Sequence, residues 1–122
     1  MPFAPWGGMR DPDRLTALEL MLDAIVVLRP LAASIRRADR SLCDQLRRAA
    51  SSTALNLAEA DGSDPGNRRA RLHTALGSLA ETRAALRVAA AWGDLDPAAA
   101  AAADAKLDRV AATTWRRLHP RR

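Results

Sequence analysis

Apolar side chains recur along this chain at alternating steps of three and four, the spacing that gathers them on one side of an α-helix. Between residues 42 and 60 the series Leu42, Leu46, Ala50, Thr53, Leu57 follows that spacing without a break. Residues 65–92 repeat it with Leu72, Leu76, Leu79, Leu86 and Ala90, and residues 97–118 with Ala103, Leu107, Val110, Thr114 and Leu118. An earlier segment, about 12–37, carries Leu15, Leu18, Leu22, Ile25, Ala32 and Ile35. Nowhere do apolar and polar residues alternate over a strand's length, and β-branched and aromatic residues are scarce, so no sheet is expected. The pattern predicts an all-α protein. Its connections are only a few residues long, which makes each helix antiparallel to the one before and the whole an antiparallel up-down four-helix bundle.

Local chemistry marks where the helices begin. Asp11-Pro12, Asp64-Pro65 and Asp96-Pro97 each pair an N-cap carboxylate, able to accept free backbone N–H groups, with a proline that loses no bond at the first helical position. The remaining start is assigned to Ser41, with Asp44 three residues on as a weak form of the capping box. Gly93 follows the third helix as a C-cap. Pro30, inside the first helix, removes a backbone bond to Val26 and should either kink that helix or divide it. Residues 1–10 contain two Pro and two Gly without helical period and are expected to form a flexible tail. The expected organisation is a bundle over 11–119, preceded by that tail and followed by a short basic tail at 120–122.

Composition narrows the function classes. At 122 residues the chain is one domain, large enough to fold without a metal or disulfide staple. Its one cysteine, Cys43, cannot form an internal disulfide, and no basic segment followed by an apolar stretch opens the chain, so a cytoplasmic location is expected. The apolar runs are much shorter than the ~20 residues that a membrane span needs. Net charge is +5, and of the 19 basic residues all but Lys106 are arginine. Arginine forks match phosphate and carboxylate, which points to an acidic partner, although a GC-rich coding sequence would also favour arginine and alanine.

No catalytic constellation is found. His73 and His119 both lack a glutamate three residues before them, so the paired Glu-x-x-His set of di-iron bundles is missing. Neither a Cys/His metal spacing nor a glycine-rich phosphate loop nor a Ser/His/Asp set is present, and no cofactor is expected. What the second and third helices do carry is polar. Gln45, Ser52, Asn56 and Glu59 share one stripe, as do Arg71, Thr74, Ser78 and Glu81. Folding the two helices together about the turn near residue 63 would place Glu59 by Arg68 or Arg71, Asn56 by His73 or Thr74, Ser52 by Ser78, and Gln45 by Glu81. Such a ladder would fix the register of two alanine- and leucine-rich helices, because a slip would strand buried polar groups at ~1–3 kcal/mol each. A small-ligand site is the alternative use of the same residues. Gly77, costly in mid-helix, suggests a backbone approaching closely from within the protomer or from another copy.

The run Gln45-Leu46-Arg47-Arg48-Ala49-Ala50, then Asn56-Leu57-Ala58-Glu59, then Ala75-Leu76-Gly77-Ser78-Leu79-Ala80-Glu81 resembles the bacterial four-helix-bundle family of proteins encoded in intervening sequences of 23S rRNA genes. That family also includes the accessory variability protein of diversity-generating retroelements. The similarity spans about 15–118. It implies a four-helix protomer that assembles into a five-fold ring, usually basic, associated with nucleic acid in some members and without enzymatic activity. Two positions depart from the family pattern. Ala60 stands where glycine is usual, and Arg71 where an aromatic ring is common.

The up-down topology also sorts the charge. One end of the bundle should collect Arg10, Arg14, Arg68, Arg69, Arg71, Arg116, Arg117, Arg121 and Arg122 against Asp11, Asp13, Glu59, Asp61 and Asp64, nine cations facing five anions. At the other end Arg36, Arg37, Arg40, Arg47 and Arg48 stand beside Asp39, Asp44, Asp94 and Asp96 and are closer to balance. The function expected is that of a non-catalytic homo-oligomer offering its basic end to RNA, DNA or a nucleic-acid enzyme such as a reverse transcriptase. A scaffold that binds only protein is the alternative. Trp92 and Trp115, just off the inward stripes, are expected at the interface between copies, beside the alanine-rich face of the last helix.

Overall fold

The computed structural model describes residues 15–121 and, by backbone alone, Phe3–Ala4 and Gly8–Met9. Four helices account for nearly all of residues 15–121. They are α1 (Ala17–Ala38), α2 (Arg40–Asp61), α3 (Pro65–Trp92) and α4 (Pro97–Leu118). The two short segments, β1 (Phe3–Ala4) and β2 (Gly8–Met9), pair antiparallel with Phe3 opposite Met9. This two-residue ladder is the one exception to the expectation of no sheet. It lies where proline and glycine exclude a helix but leave the backbone free to pair.

Caps set the helix ends. Asp64 and Asp96 act as expected, their carboxylates accepting from the backbone N–H of Asn67 and Ala99 with proline at the next position. Gly93 closes α3 in the left-handed conformation at φ 84°, where a Cβ would be strained. The starts of the first two helices are corrected. Asp11-Pro12 lies outside the described residues, and α1 is capped at Thr16 by a reciprocal capping box: Thr16 Oγ1 accepts from the Glu19 N–H while Glu19 accepts from the Thr16 N–H. Helix α2 begins at Arg40 rather than after Ser41, because Asp39 caps it through Leu42. Asp39 also ends α1, donating its N–H to the Ile35 carbonyl, so one extended residue separates two 22-residue helices.

Pro30 neither ends nor divides α1. It is exposed, and Val26, whose carbonyl loses its bond, is itself partly exposed, so water can satisfy the freed group.

The inward stripes of α2 and α4 are buried as the spacing predicts, and Leu72, Leu79 and Leu86 are buried on α3. Helix α1 keeps only the C-terminal part of its expected stripe. Ala32 and Ile35 are buried as predicted, but in the N-terminal half Ala17, Leu20, Met21, Ala24 and Leu28 fill the centre, and Leu18, Leu22 and Ile25 are half-buried at its flank. Because this helix is apolar nearly all round, spacing alone admits either stripe, and the one with two alanines allows the closer approach. Packing joins α1 to α2, α2 to α3, α3 to α4, and α1 to α4. Residue numbers run in opposite senses across the contacts. Glu59 meets Arg71 and Ser52 meets Ser78 between α2 and α3, and Arg83 meets Asp104 while Arg69 meets Leu118 between α3 and α4. Ser34 on α1 donates to the Asp94 carbonyl ahead of α4. No helix among the described residues is long and apolar enough to cross a membrane.

Three threonines enter the core. Thr53 and Thr82 donate to the carbonyls of Ala49 and Ser78 on their own helices, whereas Thr114 Oγ1 has no partner among the described residues. At Gly77 the close approach expected from within the protomer is not found. The residue is exposed, and a Cβ built there would meet nothing within 4 Å, so no other described element of the same chain approaches it. Gly77→Ala should therefore stabilise the protomer by about 0.5–1 kcal/mol through helix propensity alone. Urea unfolding monitored by circular dichroism checks this, and a loss of stability would reveal an approach from another molecule.

Candidate functional site

The polar stripes of α2 and α3 face each other for part of their length. Ser52 and Ser78 share a hydrogen bond of 2.8 Å between their Oγ atoms, and Asn56 Nδ2 donates both to the Ser52 carbonyl at 2.8 Å and to Ser52 Oγ at 3.3 Å. Two turns nearer the connection than the serine pair, Arg71 Nε stands 3.0 Å from Glu59 Oε2. Asn56 thus joins the serine pair instead of reaching His73 or Thr74, and Thr74 donates back to Ala70 on its own helix. The expected Gln45–Glu81 rung does not form. The register that pairs 52 with 78 and 59 with 71 sets Glu81 opposite Ala49 and Gln45 opposite Ala85, one turn away. Both alanines are buried and both polar residues exposed.

At the end built by the α2–α3 turn and the C-terminus of α4, the arginines divide by partner. Arg68 donates through Nε to the Ala60 carbonyl and through Nη2 to that of Ser63, and Arg69 donates to the Leu118 carbonyl at 3.2 Å. Both therefore satisfy helix-terminal carbonyls, which fixes their guanidinia without neutralising them. Arg71 pairs with Glu59, and Arg117 with Asp61 at 2.9 Å, which cancels those charges locally. Arg116 donates to Thr113 Oγ1, and Arg121 is exposed. Arg10, Arg14 and Arg122 lie outside the described residues. The carboxyl of Asp64 is held below its ordinary range by hydrogen bonds from the Asn67 backbone and side chain, which keeps this cap ionised. At the opposite end, Asp39 and Asp96 are spent on helix caps, and no ion pair joins a carboxylate to Arg36, Arg37, Arg40, Arg47 or Arg48 among the described residues. Those five arginines are therefore held in no contact ion pair, although the carboxylates near them keep their charge.

Trp92 and Trp115 are 76% and 54% exposed. They are not neighbours, however. Trp92 ends α3, whereas Trp115 lies near the far end of α4, roughly 27 Å from that helix's start at 1.5 Å per residue. Trp115 stacks on His119 with ring centroids 4.0 Å apart and 21° between planes. Its helix presents Ala101, Ala105, Asp108 and Ala112 on the same exposed stripe.

One ion cluster escaped the sequence reading. Arg83 on α3 forks onto Asp104 of α4 at 2.8 and 3.0 Å and reaches Asp108 at 3.3 Å. The hydrogen bonds from Arg83 hold the Asp104 carboxyl below its ordinary range, and Asp104 in turn raises the Arg83 guanidinium. No single-helix spacing signals this cluster, because its members lie on different helices. Among the described residues no three His, Cys, Asp or Glu side chains gather in a way that could hold a metal ion.

Two predictions follow from these contacts. Asn56→Leu, which removes two donors' worth of bonding beside the serine pair, should cost about 1 kcal/mol, whereas Glu81→Ala should stay within ~0.5 kcal/mol. Thermal unfolding of the two variants compares them. Asp104 ionises below its ordinary pKa of 3.8 in the folded chain, so its contribution is complete above that value and is lost as the pH falls further. Denaturant unfolding of wild type and Asp104→Asn should accordingly differ at neutral pH and converge in acid.

The family model for 23S rRNA-intervening sequence proteins matches residues 17–115. No curated protein and no solved structure matches the chain.

Proposed function

Since the chain belongs to the 23S rRNA-intervening sequence protein family, we propose that it acts as a non-catalytic, homo-oligomeric accessory protein that offers a basic surface to nucleic acid or to a nucleic-acid enzyme such as a reverse transcriptase. Its protomer is taken as an antiparallel up-down bundle, and its location as the cytoplasm. The observation that carries this reading is the arginine surplus at the end formed by the α2–α3 turn and the C-terminus of α4. Among the described residues, Arg69, Arg116 and Arg121 stand there without a carboxylate partner, and Arg68 forms no contact ion pair, though it is near enough to Asp64 to favour its ionised form. Two of them are already held in place by carbonyls, so a phosphate meets positioned cations at a lower ordering cost. Binding would be indifferent to base sequence, because described aromatic side chains able to stack on bases are few.

Assembly would bring several such ends to one face. The exposed stripe of α4, alanines ending in Trp115, supports an interface that buries the indole at ~25 cal/mol per Å². Trp92, at the other end of the bundle, would need a separate contact. A ring of five is favoured through the family resemblance. The second reading, a scaffold for protein alone, draws on exposed Leu55, Val26 and Val88.

Fluorescence anisotropy with labelled RNA and duplex DNA across a salt series decides between them. Affinity should fall steeply with salt and weaken in Arg116→Ala/Arg121→Ala, whereas no binding at low salt would favour the scaffold. Light scattering should give a multiple of 13.1 kDa, reduced in a folded Trp115→Ala variant. A wild-type mass of one protomer would remove the assembly from this proposal.

A further inference from the structure

A second feature lies away from the basic end, on the outer side of the α1–α2 pair. A groove of about 350 Å³ runs between these helices, floored by Ile25, Leu28, Leu46 and Ala50 and rimmed by Arg29 and Arg36 of α1 and Arg47 of α2. From Ile25 to Arg36 is eleven residues, roughly 16 Å or three helical turns. None of the three arginines has a carboxylate or hydrogen-bond partner among the described residues, and all three are exposed. Apolar surface continues past the groove through Val26, 39% exposed, and through Leu55, one turn beyond Ser51 and 63% exposed.

From this arrangement we infer that the α1–α2 groove is a docking site for an amphipathic helix of a partner protein, one whose apolar stripe is flanked by glutamate or aspartate. Half-buried Ile25 and exposed Val26 and Leu55 meet the stripe over a floor of buried Leu28, Leu46 and Ala50, and the arginines on both rims pair with the flanking carboxylates. Arg29 and Arg36 are two turns apart, the separation of acidic side chains at i and i+7 on a docked helix. A phosphate backbone has no apolar stripe to bury on such a floor. A small amphiphile with one anionic head would engage one or two of the cations and leave the rest unpaired.

The probe is a synthetic peptide of about 18 residues with leucines on one helical stripe and glutamates flanking it, labelled for anisotropy, beside a scrambled peptide of the same composition. The full chain should bind the ordered peptide and bind the scrambled one at least about tenfold more weakly. Arg36→Glu/Arg47→Glu should weaken binding by about tenfold or more through charge reversal, and Ser51→Trp should do so by filling the groove. Arg109→Glu on α4 should leave it unchanged. Circular dichroism establishes that each variant is folded, and because the charge-reversal and groove-filling changes lie on exposed residues they act independently. The proposal is overturned if the ordered peptide fails to bind, or binds the charge-reversed and Ser51→Trp variants as well as the wild type. It is likewise overturned if dodecanoate occupies the groove while the peptide does not, or if Ser51→Trp lowers the assembled mass, which would make the occupant a second copy. Duplex RNA whose affinity fell in Arg36→Glu/Arg47→Glu, with the peptide unbound, would assign the arginines to nucleic acid instead.

Discussion

Close approach of α2 and α3 is the constraint on which the other contacts depend. Hydroxyls as short as those of Ser52 and Ser78 can meet at 2.8 Å only if the two backbones lie near one another, and the buried alanines at 49, 75 and 85 make that possible. This is the most extensive helix pair in the structure. Alanine gives little shape to distinguish one register from the next, since a slip of one turn replaces a methyl by a methyl. The serine pair, with Asn56 donating into it, supplies the distinction, because a slip would strand these half-buried groups. Once α2 and α3 are set, Arg71 meets Glu59 and Arg68 reaches the last carbonyls of α2. Arg83 and Arg69 then tie α3 to α4 by the same opposed numbering.

Much of this architecture is legible along the chain, for reasons that differ by element. Asp64-Pro65 and Asp96-Pro97 state two helix starts outright, since carboxylate and imino ring each satisfy a local need that owes nothing to the rest of the fold. The start at Thr16 is equally local, but the Thr-x-x-Glu spacing competes with an Asp-Pro pair five residues earlier, and spacing cannot rank the two. The stripe on α1 is ambiguous because almost every face of that helix is apolar, so its rotation is chosen by its neighbours. Gln45 and Glu81 fail as a rung for a related reason. Periodicity places residues on a face correctly, but it leaves the offset between two helices undetermined by a turn, and the contacts of Ser52 with Ser78 and of Glu59 with Arg71 fix it.

Electrostatics is where counting residues diverges most from seeing them placed. Arginine is one formal charge in a composition, yet at the basic end it plays three parts: carbonyl cap at Arg68 and Arg69, ion-pair partner at Arg71 and Arg117, and uncompensated cation at Arg121. Carboxylates divide in the same way. Asp39 and Asp96 spend their oxygens on the N–H groups at helix starts and form no ion pair with the arginines near them in sequence, though they keep their charge. The family match covers residues 17–115, while the distribution of charge contacts is read from these individual partners.

Asp39 belongs to both helices that meet at it, accepting the Leu42 N–H for one and giving its own N–H to Ile35 for the other. A connection of one residue has no slack. Adding or removing a residue there would turn one helix by about 100° relative to its neighbour and carry its buried stripe out of the core. Insertions and deletions in related chains should therefore be rare at this junction and collect in the turns at 62–64 and 93–96, where a length change can be absorbed without rotating either helix. The first hairpin is in this sense the fixed-length half of the protein, and its spacing serves as a ruler against which divergent relatives can be aligned.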